Sequence, residues 1–507
     1  MKVLSAEQIK IADKNSILNE PISSIDLMER AAEKCCEFFP PKGQWSHLVV
    51  ICGIGNNGGD GLAIARLQME NFKSVRVLVL ESSKNYSDNF KINLKRLQDE
   101  NCNIQFVESA KDIYLREDEL VVDAILGTGT SRPVEGFLAE CIEVINQQAA
   151  HIIAIDLPSG MDSSQPTLGA IIKANLTLTI GAPKPALFFQ ETADFVGEWK
   201  LVKIYKEDSV IAEFSDAPEI VDIEFASPFL KVRKQFSNKG TFGKALIIAG
   251  SEGKYGAAIL AARACMRSGV GLLTVQVPSN TMNLIHQLLP EALLKADVNE
   301  RMITSISDFE NFNSIGIGPG IGMANETVDA LIELLKINQK PMVLDADALN
   351  IIAEHPTLLT NLPENSILTP HPKEFERLFG PSENSFERLE KQIKHSAMHK
   401  IVIVCKGRYT TITSPDGKVY FNMSGNSGLA KGGSGDVLTG ILTALLAQGY
   451  SPIDAAVLGV FVHGHSADLL AVKMHEAGIL PSDVIENLPY AFKDIVGEMK
   501  HKNTRAQ

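Results

Sequence analysis

The residues best suited to chemistry lie in one short stretch, positions 424–440, with the sequence SGNSGLAKGGSGDVLTG. Gly432, Gly433 and Gly435 permit positive φ and leave no side chain between backbone N–H groups and a ligand. Val437, Leu438, Ile441, Leu442 and Leu445 follow at helical spacing, which predicts a helix beginning near Gly435. The free N–H groups and positive dipole end of that helix would face the loop, an arrangement that suits a phosphate. Asp436 then stands beside the anion. A carboxylate is unfavourable there unless it takes a proton, and a hydroxyl attacking a phosphoryl group has one to lose. The plainer reading is a Gly-rich turn capped by an Asp.

A second set of polar residues is spread along the first half of the chain. Positions 53–61, GIGNNGGDG, follow the apolar run His47–Cys52 and precede a helical pattern through Met69. They contain G-x-G-x-x-G at Gly53, Gly55 and Gly58, and Glu81 follows the next strand, so a dinucleotide-binding dehydrogenase is one reading. Asn56, Asn57 and Asp60 argue instead for a loop that binds through side chains as well as backbone. Strand-to-loop units then recur: DAILGTGTSRP at 123–133, DLPSG at 156–160 and GAPKP at 181–185 each follow an apolar run. In an open parallel sheet such loops line one crevice at the carboxyl ends of the strands. A helix cap explains any one acid there, but less easily the whole set.

Two α/β units must position these groups. The strand–helix rhythm fades over 206–237, an acidic, Pro-containing stretch, and restarts with the strand at 245–250. The boundary falls near residue 220, giving domains at 1–220 and 225–507, a size that suits 507 residues. Hydrophobic residues at 45% fill two cores, and a net charge of −13 argues against a nucleic-acid partner. Seven cysteines without a C-x-x-C pair suit a reducing cytoplasm. The first ten residues lack an apolar signal core, and the apolar run 455–462 is interrupted by His463 and His465, so no bilayer-crossing segment is expected. His463-x-His465 has the wrong spacing for a helical metal pair, and no G-x-x-x-x-G-K-[ST] is present to hold phosphates as a P-loop. A homo-oligomer is expected, its order not legible from the residues.

The motifs NNGGDG, DAILGTGTSRP, DLPSG and GAPKP resemble the NAD(P)H-hydrate epimerase family over most of residues 1–210. The resemblance implies a Rossmann-like three-layer fold, a substrate that is a nicotinamide dinucleotide hydrated at C6 (NADHX or NADPHX), and a bound K⁺. Asn57, Asp123 and Ser159 match the K⁺ ligands. Asn56, Asn57, Gly58, Gly59 and Asp60, with Gly127, Thr128, Gly129, Thr130, Ser131, Arg132 and Pro133, match the substrate contacts, as does Asp156. Epimerising a C6 hemiaminal moves a proton at a ring hydroxyl, which suits a buried carboxylate such as Asp156 with Lys184 as its charge partner.

Residues 225–507 are similar to the NAD(P)H-hydrate dehydratase family, a branch of the ribokinase-like α/β fold, through KGTFGKALIIAGS, GIGPGIG, LDADAL, LTPHPKEF, KGRYT and GNSGLAKGGSGDVLTG. By motif, Ala257, Gly320, His371 and Asp436 match hydrate contacts, and Lys406, Gly407, Arg408, Tyr409, Thr410 and Gly435 match the nucleotide site. Lys373 stands where the family usually has Gly after His-Pro, and Asn238 where a His often precedes Lys-Gly. The resemblance implies phosphorylation of the C6 hydroxyl by ADP or ATP with Mg²⁺, with Asp436 as base, followed by loss of phosphate. Fused microbial members favour ADP. A ribokinase-like kinase of a small alcohol joined to a ligand-binding domain is the competing reading, and a non-catalytic scaffold is a third. His371 together with the K⁺ loops weighs against the kinase, and intact Asp156 and Asp436 weigh against the scaffold.

Overall fold

The computed structural model describes residues 1–129, 132–206 and 209–505. The chain forms two compact units, one spanning Lys2–Ala217 with Asn384–Phe386, the other Pro218–Glu383 and Glu387–Gln507 with Met1.

The first unit is built on seven parallel strands: β1 (His47–Cys52), β2 (Ser74–Leu80), β3 (Asn103–Val107), β4 (Glu119–Ala124), β5 (His151–Ile155), β6 (Leu176–Ile180) and β7 (Glu198–Val202). Their order is β3-β2-β1-β4-β5-β6-β7. The order reverses between β1 and β4, and a crevice opens at such a switch point. Alternate residues serve opposite faces. Val50, Val77 and Val122 pack with Leu62 and Ala63 of helix Asn56–Gln68. Val49, Leu78 and Val121 pack with Ile142 and Ile145 of helix Gly136–Gln148. Both faces are covered, which is why these strands read as unbroken apolar runs. The first helix, Ala6–Asn19, is held by a capping box between Ser5 and Gln8.

The second unit carries β8 (Glu219–Val221), β9 (Lys244–Ile248), β10 (Leu272–Val277), β11 (Leu293–Ala296), β12 (Ser314–Ile317), β13 (Val343–Leu344), β14 (Ile367–Leu368), β15 (Val402–Cys405), β16 (Thr411–Thr413) and β17 (Val419–Asn422). The order is β11-β10-β9-β12-β13-β14-β15-β16-β17-β8, with antiparallel pairing at β15/β16 and β16/β17 and parallel pairing between the other neighbours. The switch point lies between β9 and β12. The weakly patterned stretch 206–237 supplies β8, which pairs with β17 at the sheet edge. Three residues give too short a run for periodicity to reveal.

Helix Ser434–Ala447 fills the middle of this unit and is buried along nearly its whole length. Gly440 lets it lie directly on helix Tyr255–Arg267, where a Cβ would meet Ala264 at 2.9 Å and the carbonyl of Ala261. Helix Pro452–Ala471 is long and apolar enough to span a bilayer, contrary to the expectation from its histidines, yet most of it is buried inside the unit. A core helix of a large α/β layer meets the same compositional test.

Candidate active sites

In the first unit, the loops following β1 and β4, with Asp156 and Ile180 at the ends of β5 and β6, surround a cavity of about 720 Å³ at the carboxyl edge of the sheet. Asn56, Asn57, Asp60, Gly127, Thr128, Gly129, Arg132 and Asp156 line it. Gly58 and Gly59 do not: a Cβ on Gly58 would overlap the carbonyl oxygen of Gly53, and one on Gly59 would lie 2.9 Å from Met28 Sδ. These two glycines serve close packing, whereas Gly53 and Gly55 of the G-x-G-x-x-G pattern line the cavity. Glu81, the candidate ribose acid of the dehydrogenase reading, is engaged with Lys84 and Tyr86. Pro133 is exposed away from the cavity lining, and Thr130 and Ser131 lie outside the described residues.

Asp156 and Lys184 form an ion pair, with Lys184 completely buried. Lys184 Nζ also donates to Thr179 Oγ1 (3.0 Å) and the Ile180 carbonyl (2.8 Å). Asp156 accepts from Ile180 N–H (3.2 Å) and Thr128 N–H (3.4 Å), which ties the loop after β4 to the end of β5. Its φ of 70° lies in the left-handed region, an uncommon and strained setting for a residue with a Cβ.

Two further acids share this cavity. Asp60 is pushed well above the usual carboxylate range by burial and by the charges of Asp156 and Asp13. Asp13, on helix Ala6–Asn19, accepts a hydrogen bond from Tyr205 Oη at 2.8 Å. Burial raises its pKa, opposed by the Tyr205 bond. Asp13 and Tyr205 escape sequence reasoning because neither stands in a glycine-rich loop, and they meet across 192 positions.

Beside this acid group, Asp123 is fully buried and accepts from Ser159 N–H (2.8 Å), Ser159 Oγ (2.5 Å) and Ile125 N–H (3.2 Å). Ser159 Oγ accepts from Leu126 N–H at 2.8 Å. Burial pushes Asp123 up to about 6, and no ion pair to it is formed among the described residues. A Cβ on Gly127 would sit 3.4 Å from Asn57 Cγ, and Asn57 Nδ2 is buried without a partner among the described residues.

In the second unit, Gly433 caps helix Ser434–Ala447 with φ 99°, one residue ahead of the expected start. Asp436 lies in the first turn. Burial raises it to about 7, with Asp345 and Asp347 acting in the same sense and Lys406 against. Asp345 is buried and accepts from Lys406 Nζ (2.8 Å) and Thr439 Oγ1 (2.9 Å). Burial alone would raise Asp345, but the Lys406 charge and these bonds win and hold it below its ordinary value. Gly435 covers the pair: a Cβ there would lie 3.3 Å from Asp345 Oδ2 and 3.4 Å from Lys406 Nζ.

Lys406, Gly407, Arg408, Thr410 and Gly435 line a cavity of about 900 Å³. Tyr409 is not in its wall; the Arg408 guanidinium lies 4.9 Å from that ring and donates to the Gly425 carbonyl at 2.7 Å. Gly320 approaches Ala257 closely enough that a Cβ would lie 3.2 Å from the alanine methyl. His371 caps helix Pro372–Phe379, its Nδ1 accepting from Lys373 N–H (3.2 Å) and Glu374 N–H (3.4 Å). That bond puts the ring proton on Nε2, 3.3 Å from Glu374 Oε1. Glu374 in turn lies 3.9 Å from Lys406 Nζ, so the His371 loop reaches the acid–lysine cluster beside Asp436. The Lys373 side chain points to solvent, and Asn238 Oδ1 accepts from Gly240 N–H at 2.9 Å in a local turn.

Asp347, the second acid of the LDADAL motif, forms a further pair with Lys254. Lys254 Nζ donates to Asp347 Oδ2 (3.0 Å), which also accepts Gly322 N–H (2.8 Å). Ala346, between the two aspartates, has φ 49°, the kind of backbone strain that concentrates at functional sites.

The family model for the YjeF-related protein N-terminus matches residues 24–186, and that for NAD(P)H-hydrate dehydratase matches residues 245–490. The bifunctional NAD(P)H-hydrate repair enzyme Nnr of Moorella thermoacetica is 32% identical, covering 99% of this chain and 98% of its own. The enzyme of the same name from Escherichia coli is 32% identical, covering 98% and 95%. The crystal structure of an ADP/ATP-dependent NAD(P)H-hydrate dehydratase from Bacillus subtilis is 32% identical with a TM-score of 0.49, covering 55% of this chain and 99% of that one. With both family segments present in order and the relatives aligned nearly end to end, the chain belongs to the bifunctional NAD(P)H-hydrate repair enzymes.

Proposed function

We propose that the first unit interconverts the R and S forms of NADHX and NADPHX, and that the second dehydrates the S form using a nucleotide. The carrying observation is Asp436, a carboxylate raised to about 7 at the buried start of helix Ser434–Ala447. A base poised near neutral pH, beside N–H groups that favour an anion, suits a hydroxyl attacking a phosphoryl group. Asp436 takes the C6 hydroxyl proton as the oxygen attacks the terminal phosphorus of ADP, breaking the bond to AMP. The ring nitrogen lone pair then expels phosphate from C6 and a proton leaves C5, giving the reduced nicotinamide. The backbone N–H of Gly435, in the first turn of the helix, holds the transferring charge. Mg²⁺ is expected on the nucleotide. No group of three metal-ligating side chains occurs among the described residues, which accords with phosphates and water supplying most of its ligands.

In the first unit, the acidic end formed by Asp13, Asp60 and Asp156 receives the nicotinamide ring, whose ring nitrogen becomes cationic when C6 loses or regains its hydroxyl. Asp156, held by Lys184, is the proton carrier. Arg132 and the start of helix Asn56–Gln68, which line the same cavity, suit the phosphates. K⁺ fits between Asp123, Ser159 and Asn57: the donors are oxygen, and the buried Asp123 has no cation of its own among the described residues. The ion would neutralise Asp123 and brace the loops after β4 and β5. Replacing K⁺ with tetramethylammonium is therefore expected to lower the first unit's thermal midpoint and weaken hydrate binding, read by calorimetry. Equal midpoints in the two salts would count against the site.

The overall reading is tested by incubating mixed NADHX with ADP or ATP. One phosphate should be released for each reduced nicotinamide formed, with ADP the preferred donor. A small-alcohol kinase would leave the nicotinamide absorbance unchanged.

A further inference from the structure

Epimerisation at C6 has a requirement that one carboxylate cannot meet. Once the hydroxyl has left and the ring is a planar iminium, the group that protonated it can return water only to the face it left. Inversion needs a second acid–base group for a water on the opposite face, the division of labour that two carboxylates perform in inverting glycoside hydrolysis. Asp156, at the end of β5 and paired with Lys184, supplies one of the two.

Asp13 reaches the same cavity from a different element, helix Ala6–Asn19. Tyr205 Oη donates to Asp13 Oδ1 at 2.8 Å, and Oδ2 has no hydrogen-bond partner among the described residues. The tyrosine is fixed in turn by Gly181, φ 76°, where a Cβ would lie 2.8 Å from Oη. Asp60 lines the cavity too, but burial and the charges of Asp156 and Asp13 all raise its pKa with nothing opposing, so its neutral form is favoured. A group that serves as acid in one direction must serve as base in the other. For Asp13, burial and the Asp156 charge raise the pKa while the Tyr205 bond and the Lys184 charge oppose, which keeps both forms within reach.

We propose that Asp13, held by Tyr205, is the second acid–base group of the first unit and acts on the face of the nicotinamide ring opposite Asp156. The proposal rests on the epimerase reading of this cavity. In one direction, protonated Asp13 gives its proton to the C6 hydroxyl. The C–O bond breaks, water leaves with the electron pair, and the ring nitrogen lone pair forms the C=N bond. Ionised Asp156 takes a proton from a water on the other face as that oxygen bonds to C6 and the C=N electron pair returns to nitrogen. The reverse direction exchanges the two roles.

The test uses the full chain without nucleotide, with pure (6R)- or (6S)-NADHX in water labelled with heavy oxygen. Chromatography separates the epimers and mass spectrometry reads the label. In the wild type every inverted molecule should carry the label at C6. Asp13→Asn keeps an acceptor for Tyr205 and should slow inversion by about 10²-fold or more. The epimer whose hydroxyl faces Asp156 should still exchange its oxygen with water and keep its configuration. A residue that only supports the fold would move exchange and inversion together. Tyr205→Phe, which removes the bond that holds Asp13, should slow inversion about tenfold, the size of one lost hydrogen bond, with exchange persisting. If Asp13→Asn fails to fold, the Tyr205→Phe chain carries the same split. Wild-type inversion by the folded Asp13→Asn chain overturns the proposal, as does an equal fall in exchange and inversion, or unlabelled product from the wild type. A wild-type chain that does not epimerise NADHX overturns the epimerase reading itself, a separable outcome.

Discussion

Asp436→Asn is expected to slow nucleotide-dependent dehydration by about 10²–10⁴-fold, the usual penalty for losing a general base, and to leave epimerisation untouched. The substitution is nearly isosteric and removes like-charge repulsion from Asp345 and Asp347, so stability should not fall. That sign separates a catalytic loss from an unfolding loss: a thermal midpoint at or above wild type, with dehydration gone, is the expected pair of results. The pH profile adds a second check. Burial and neighbouring acids raise Asp436 to about 7, so the base form is lost as pH falls through that value. The kcat/KM for dehydration should therefore drop below neutral pH in the wild type, and the residual rate of the Asn variant should lose that inflection. Wild-type dehydration by a folded Asn variant would sink the assignment.

Asp156 requires a different substitution. Removing the carboxylate altogether would leave the fully buried Lys184 charge without its anion, and breaking one partner of such a pair costs about 3–5 kcal/mol. Ala would also have to adopt the left-handed φ of 70°. Asn tolerates that region best and keeps an oxygen for Lys184, so Asp156→Asn tests the chemistry with the least damage to the fold. The variant should lose about 10²-fold or more in epimerisation. In excess nucleotide, a mixed-epimer hydrate pool should then show a fast phase that ends at the competent fraction, followed by a slow phase set by spontaneous epimerisation. A single fast phase consuming the whole pool means either that the second unit accepts both epimers or that the proton carrier lies elsewhere. Asp60 and Asp13, which line the same cavity, are the next groups to change.

The parts of the molecule legible in the sequence are those written in contiguous residues. The run from Ser434 to Leu445 states its helix through spacing and its start through glycines, and the observed helix begins one residue early. The parallel strands of the first sheet are readable because burial on both faces makes them apolar throughout. The Asp156–Lys184 pair was inferred from two loop motifs and is present. Long-range pairing was not legible. The Lys406–Asp345 pair joins residues 61 positions apart, and the Asp13–Tyr205 bond joins residues 192 apart. A lone Asp in an amphipathic helix carries no local mark of what it will face. The spacing of His463-x-His465 does not suit a helical metal pair, and His465 Nε2 lies 2.7 Å from Asp494 Oδ2. The place of His463 in a cavity wall follows only from how helix Pro452–Ala471 packs.

The central claim is that one chain carries both activities, one in each unit. The most direct measurement starts from pure (6R)-NADHX, the epimer the second unit should not accept, with ADP and Mg²⁺ in K⁺ buffer, following reduced nicotinamide by absorbance. The account predicts complete conversion by the wild type at a rate far above spontaneous epimerisation, strongly slowed in Asp156→Asn and restored by adding the Asp436→Asn chain, whose first unit is intact. Conversion no faster than spontaneous epimerisation in the wild type, or no rescue on mixing the two variants, would contradict it.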